Sequence, residues 1–349
     1  MMSAARWNTG LVGLAAAGAV LTCPALCAAA GSGLTTFQVQ SLPTAVSSIN
    51  NAAFVVGTYT DHHQIRHGFI RSAGGALTKF DASPYGTIAA GINDSREVTG
   101  TVITKSGASR GFVRSARGAV TLFDATAAAR DTVPSAIGAD GTVTGYFDDG
   151  DYTDHGFLRS PAGVITTFDV PGASSTTPVS IDVFGNVIGY GTSANDIGEG
   201  IVRRADGAFI TFSVPNAVSG TVGIAAPANL SGVIAGYDED GNGIHHGFLY
   251  SGTSTFTLFD APNAGQGWGD GTFVQGISKH GAVTGIALDL GVSHGYIRAA
   301  HGSITGFDVP GAGAGRNQGT MPAAINDAGV IAGTYIDTAG REHGFIRAK

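Results

Sequence analysis

Short runs of alternating apolar and polar residues, each closed by Gly, Pro, Asn or Asp, fill almost all of the chain beyond its first thirty residues. Val143-Thr144-Gly145-Tyr146, His155-Gly156-Phe157-Leu158-Arg159 and Ile165-Thr166-Thr167-Phe168-Asp169 are three in succession. A period of two over such lengths predicts β-strands, and no stretch carries a persuasive helical period. The runs also recur in a fixed order. Anchor glycines stand at Gly68, Gly111, Gly156, Gly200, Gly247, Gly295 and Gly344, 43 to 49 residues apart, which is the length of a four-stranded propeller blade. Each unit reads as a strand ending near Ser-Ile-Asn, a second strand, a third containing the anchor, and a fourth ending in Phe-Asp. The seventh unit stops after its third strand, His343-Gly344-Phe345-Ile346-Arg347, while residues 34–39 are a fourth-strand copy with no unit of their own. The expected fold is therefore all-β: a seven-bladed propeller over residues 31–349, closed by the N-terminal strand completing the last blade.

Residues 1–30 read as a signal peptide. Arg6 precedes an apolar stretch at 11–21 that is too short to span a bilayer, and small residues at 25–30 offer cleavage sites. This predicts an extracellular or periplasmic protein. Both cysteines, Cys23 and Cys27, fall in that segment, so the mature chain offers neither a disulfide nor a thiol nucleophile. Thr22 and Leu26, which precede them, are poor for a lipid anchor. The formal charge of -7 argues against nucleic acid or an anionic membrane as partner. No apolar run has membrane-spanning length, and a monomer is expected.

The residue before each anchor is His67, Arg110, His155, Glu199, His246, His294 or His343. Fourteen positions later stand Asp81, Asp124, Asp169, Ser213, Asp260 and Asp308. A constant offset places the two members opposite each other in every third-to-fourth-strand hairpin. Where His becomes Glu199 the partner is Ser213, which avoids two facing carboxylates. In the split unit His343 is expected to face Gln38 in a hydrogen bond. Imidazole beside carboxylate suits a general base or a metal ligand, but a catalytic pair is needed once and this one recurs around the ring. A polar clasp that fastens the outer strand is the preferred reading. The Arg two residues after most of the Gly-aromatic pairs, as at Arg71 and Arg159, and the fourth-strand Phe residues read as fold residues.

Function is expected where the units differ. The long second-to-third-strand loops and the links between units emerge on one face and carry Tyr59, Asp61, His63, Tyr152, Trp268, Asp270 and Tyr335. These are the expected binding residues for a glycan or an extracellular protein. Asp238, Asp240 and Asn242, followed by Gly243, have the opening spacing of a calcium loop, although Leu249 stands where the bidentate Glu belongs. No cofactor is required on this reading, and Ca2+ is the one candidate. The first alternative is a secreted polysaccharide lyase or hydrolase with an axial site, with Asp61, His62, Asp149, Asp238 and His245 as first suspects. A structural envelope or matrix protein is the second. No Gly-x-Ser-x-Gly or His-Glu-x-x-His motif is present.

The His-small-Phe triplet with its following Arg, the Thr-x-Phe-Asp strand and the Ile-Asn strand end resemble the HAF-repeat family of secreted bacterial proteins. Here they are His155-Gly156-Phe157-Leu158-Arg159, Thr166-Thr167-Phe168-Asp169 and Ala324-Ile325-Asn326. The resemblance spans essentially all of the mature chain and implies an extracytoplasmic location and a propeller-like repeat fold. It implies no activity and no catalytic residue. The fourth unit departs most, with Glu199-Gly200-Ile201 for the triplet.

Overall fold

A computed structural model describes residues 33–193, 198–215, 222–224, 228–252 and 255–349; the expected signal peptide lies outside them. Among the described residues there are 28 strands and no helix. They form seven antiparallel units of four. In unit 1, Thr44–Ile49, Val55–Thr60, Arg66–Arg71 and Leu77–Phe80 lie side by side in chain order. Units 2 to 4, which begin at Thr87, Asp131 and Ala173, repeat this as separate sheets. Units 5 to 7, which begin at Val222, Gly271 and Gln318, are joined into one twelve-stranded sheet. Short parallel bridges make the joins, His245 opposite Gly271 and Ser293 opposite Gly319. Both glycines have positive φ, 122° and 113°, and lie so close to the facing backbone that no Cβ would fit. The N-terminal strand Leu34–Phe37 is the fourth member of unit 7. It pairs antiparallel with Glu342–Arg347, Leu34 opposite Arg347 and Phe37 opposite Gly344.

One motif fastens unit to unit. The fourth-strand Phe lies flat over the anchor glycine of its own unit, as Phe80 does over Gly68, and meets the next unit's third-strand aromatic edge-on, except that unit 4 has Ile201 there and Phe168 meets Phe209 instead. The ring pairs include Phe80 with Phe112 at 6.0 Å, Phe123 with Phe157 at 5.8 Å and Phe307 with Phe345 at 6.2 Å. The arginine of that next unit then covers the ring: Arg114 over Phe80 at 5.0 Å, Arg159 over Phe123 at 5.1 Å. Where unit 5 has Tyr250 for the arginine, the phenol stacks on Phe212 at 4.1 Å and does the same work. Phe37 meets Phe69 at 5.9 Å and lies under Arg71 at 5.0 Å, so units 7 and 1 are joined by the same contact as the others.

The first strands converge. Ser47, Ala90, Ser135, Val179, Gln275 and Ala323 each sit at a β-bulge in their strand, and all of them line a cavity of about 360 Å³. Asparagines stitch its rim. Asn326 Nδ2 donates to the Asn50 carbonyl at 3.1 Å, Asn50 to that of Asn93 at 3.0 Å, and Asn93 to that of Gly138 at 3.1 Å.

Candidate functional site

The clasp histidines of units 1 and 3 are held between two carboxylates. His67 meets Asp81 through Nδ1 at 2.7 Å and Asp61 through Nε2 at 3.3 Å. His155 repeats this with Asp169 at 2.8 Å and Asp149 at 3.2 Å. In unit 2, Arg110 Nη2 bridges to Asp124 at 2.9 Å, and in unit 6 His294 pairs with Asp308 at 3.0 Å. The second carboxylate stands six positions before the histidine, at Asp61, Asp149, Asp240 and Asp337. It also holds its own loop: Asp61 Oδ1 accepts the amides of His63 and Ile65, both at 2.8 Å. Burial disfavours a charged imidazole at His67, but the hydrogen bonds from Asp81 and Asp61 outweigh it and hold the pKa above its usual value. An aromatic ring lies flat on the other side of the imidazole, Tyr59 on His67 at 4.9 Å, Phe147 on His155 at 5.1 Å and Tyr335 on His343 at 4.6 Å.

This geometry corrects several expectations. Tyr59 and Tyr335 are buried beneath the loops because they stack on the histidines, so they offer no ring to a ligand. Asp270 is also buried, and its carbonyl accepts the backbone amide of His245 at 2.9 Å. Gln38 does not bond to His343. Its Nε2 donates to the Glu342 carbonyl at 3.0 Å, while His343 takes Asp337 at 3.0 Å. In the loop read as a calcium site, Asp240 Oδ1 is occupied by the amides of Asn242 and Ile244, and Oδ2 by the Asn242 side chain at 3.1 Å. Among the described residues no three His, Cys, Asp or Glu side chains converge as metal ligands. The suspects for an axial enzyme site are dispersed: Asp61 and His62 belong to unit 1, Asp149 to unit 3, and Asp238 and His245 to unit 5. None of them lines the central cavity, which opens instead among the tight turns that carry Asn51, Asp94, Lys279 and Asp327.

What remains presented to solvent on the loop face is Trp268, 85% exposed, with Tyr152 and His63. Trp268 is braced. Its indole lies against Gly243 of the neighbouring loop, and the Gly269 amide donates to the Gly243 carbonyl at 2.7 Å. Tyr152 carries the Arg130 guanidinium 4.8 Å above its ring.

Unit 5 places an acid where units 1, 3 and 7 place a ring. Its histidine, His246, meets Asp260 at 2.7 Å but stands 3.8 Å from Asp240. The residue opposite it is Asp238, a buried carboxyl whose pKa is pushed up to about 6 by burial. Beside it lies a pocket of about 330 Å³. His245, on the other side of the strand, has its pKa lowered by burial and packs on Phe273 at 4.3 Å. The offset of six from acid to histidine was legible in the sequence and marks the second carboxylate; nothing in the sequence marks the pocket.

No family model matches the chain, and no curated protein matches it. Solved structures do. A prolyl endopeptidase is 11% identical over 88% of this chain and 50% of its own, with a TM-score of 0.57. A puromycin hydrolase is 13% identical over 86% and 53%, with a TM-score of 0.52. The lectin of Aleuria aurantia is 10% identical over 78% and 96%, with a TM-score of 0.47. The chain spans about half the length of the endopeptidase and the hydrolase. At such identity the likeness is one of fold alone: the protein is an all-β chain of propeller type.

Proposed function

We propose that the seven units are the blades of a closed propeller that acts outside the cytoplasm as a recognition or scaffold module, binding a glycan or another extracellular macromolecule on its loop face. The likeness of the 7–1 contact to the other interfaces, Phe37 between Gly344 and Arg71, supports closure. The resemblance to HAF-repeat proteins supports export. The observation that carries recognition is Trp268, a flat apolar ring 85% exposed yet fixed by the backbone beneath it. A rigid exposed ring is a surface on which the apolar face of a sugar stacks without ordering a flexible side chain. Passing the protein over immobilised bacterial and plant polysaccharides tests this. Retention should occur on at least one and be lost in Trp268→Ala with an unchanged melting curve. Release of new reducing ends or unsaturated product would replace the binding reading with a lyase or hydrolase. Neither retention nor turnover would leave a structural role.

A further inference from the structure

At the position opposite the clasp histidine, unit 5 departs from units 1, 3 and 7. Opposite the clasp histidine those units place Tyr59, Phe147 and Tyr335, each ring lying on its imidazole. Unit 5 places Asp238 opposite His246. A carboxyl group does not fill the volume of a phenyl ring, and beside it lies the pocket of about 330 Å³. Its polar wall is Asp238, Asp240, Asp260 and His246; its apolar wall is Leu258, Phe259 and Pro215. Asp238 is only 3% exposed, and its Oδ1 has no hydrogen-bond partner among the described residues. An unpartnered acceptor buried in a residue of the pocket wall is a cost that a donor entering beside it would remove. His246 leaves Asp240 loosely engaged, at 3.8 Å against 3.0 to 3.3 Å in the other three units. Three carboxylates face one imidazole, so the pocket selects positive charge. They do not converge on a point as a metal requires.

We propose that this pocket binds a primary ammonium carried on a small organic body, the ammonium donating to Asp238 while Leu258, Phe259 and Pro215 cover the carbon frame. An amino sugar and a lysine side chain share this chemistry. The inference stands apart from the loop-face reading, which rests on Trp268. The titratable groups facing Asp238 are His246 on the paired strand, Asp240 in the loop just past its own strand and Asp260 beyond the fourth. Because burial raises the Asp238 pKa, acid neutralises this acceptor first and weakens the site.

The full exported chain is titrated calorimetrically with D-glucosamine, N-acetyl-D-glucosamine and Nα-acetyl-lysine amide. One of the two amines should bind, and the neutral N-acetyl sugar should bind at least about tenfold more weakly. The stronger of the two amines identifies the source. Asp238→Asn should weaken it about tenfold or more, and lowering the pH from 7.5 to about 5 should do the same. Asp238→Tyr, which installs the ring of units 1 and 7, should fold and abolish binding. Trp268→Ala should leave amine binding unchanged. Failure of both amines to bind below about 10 mM would overturn the proposal, as would an equal affinity for the neutral sugar or an Asp238→Asn variant that binds as before.

Discussion

Units 1 and 5 are built on one plan and differ in how it is completed. In unit 1 the imidazole of His67 has a carboxylate on each nitrogen and the Tyr59 ring on its face. In unit 5 the ring is replaced by Asp238, one carboxylate stands farther off, and a pocket lies beside the pair. The strand register, the anchor glycine and the fourth-strand Phe are the same in both. At the position opposite the histidine the repeat supplies its own control: a ring accompanies the clasp with two close carboxylates, a carboxyl the clasp with one farther off.

The frame itself is the first thing to break. Removing the chain through Gln40 takes away the fourth strand of unit 7 and the ring beneath Arg71, leaving unpaired strand edges. The thermal midpoint should fall by more than about 10 °C, and a midpoint within a degree of the intact chain would show that units 7 and 1 do not depend on this strand. Phe80→Ala and Phe259→Ala should each cost about 3–5 kcal/mol in denaturant melts, since both rings fill the space above an anchor glycine. Equal losses would confirm that units 1 and 5 share one frame; a much smaller loss in unit 5 would mean that the pocket has already relaxed it.

Exchange at the variable position sharpens the contrast. Tyr59→Asp buries a carboxyl where a ring packs on the imidazole and should destabilise by roughly 3 kcal/mol at neutral pH. Asp238→Asn should act in the opposite sense. Burial holds the Asp238 pKa at about 6, above the ordinary carboxylate value of 3.8, so the folded state holds the proton more tightly and stability falls as pH rises between those values. The gain from Asp238→Asn should reach about 3 kcal/mol at pH 8 and vanish near pH 3. Unit 7 gives the reverse sign. Burial alone would raise the Asp337 pKa, but the Arg341 amide, His343 and the Arg341 side chain outweigh it and hold it at about 2. Its contribution is complete above the ordinary carboxylate pKa and is lost as pH falls toward 2. Asp337→Asn should therefore destabilise at pH 7 and make no difference near pH 2.

The smallest effect is the clasp itself. His67→Ala and Asp81→Ala should be coupled by about 0.5–1 kcal/mol in a double-mutant cycle, because the pair is partly open to water. The raised His67 pKa makes this coupling complete below the ordinary imidazole pKa and weaker as pH climbs through the folded value.

Much of this frame was legible because it rests on constant offsets within a unit. The fourteen residues from His67 to Asp81 predict their contact, and the six from Asp61 to His67 would have predicted the second. Contacts between units were not legible in the same way. Arg114 reaches Phe80 of the preceding unit, and nothing in either strand's alternation says that a cation will cover a ring there. The burial of Tyr59, Tyr335 and Asp270 was missed because an aromatic or acid at the edge of a loop looks exposed until its stacking or backbone partner is known. The bulges that turn Ser47 and its counterparts toward the cavity depend on one extra residue in a strand, which leaves no mark on a short alternating run.

Leu34 and Arg347 are partners from opposite extremes of the described chain. Six units are completed by strands adjacent in sequence, whereas the seventh is completed only when residues 34–37 meet residues 344–347. That pairing carries a loop-closure entropy set by almost the whole described length, the kind of long-range contact that slows folding. Until it forms, unit 7 is a three-stranded sheet with an open edge.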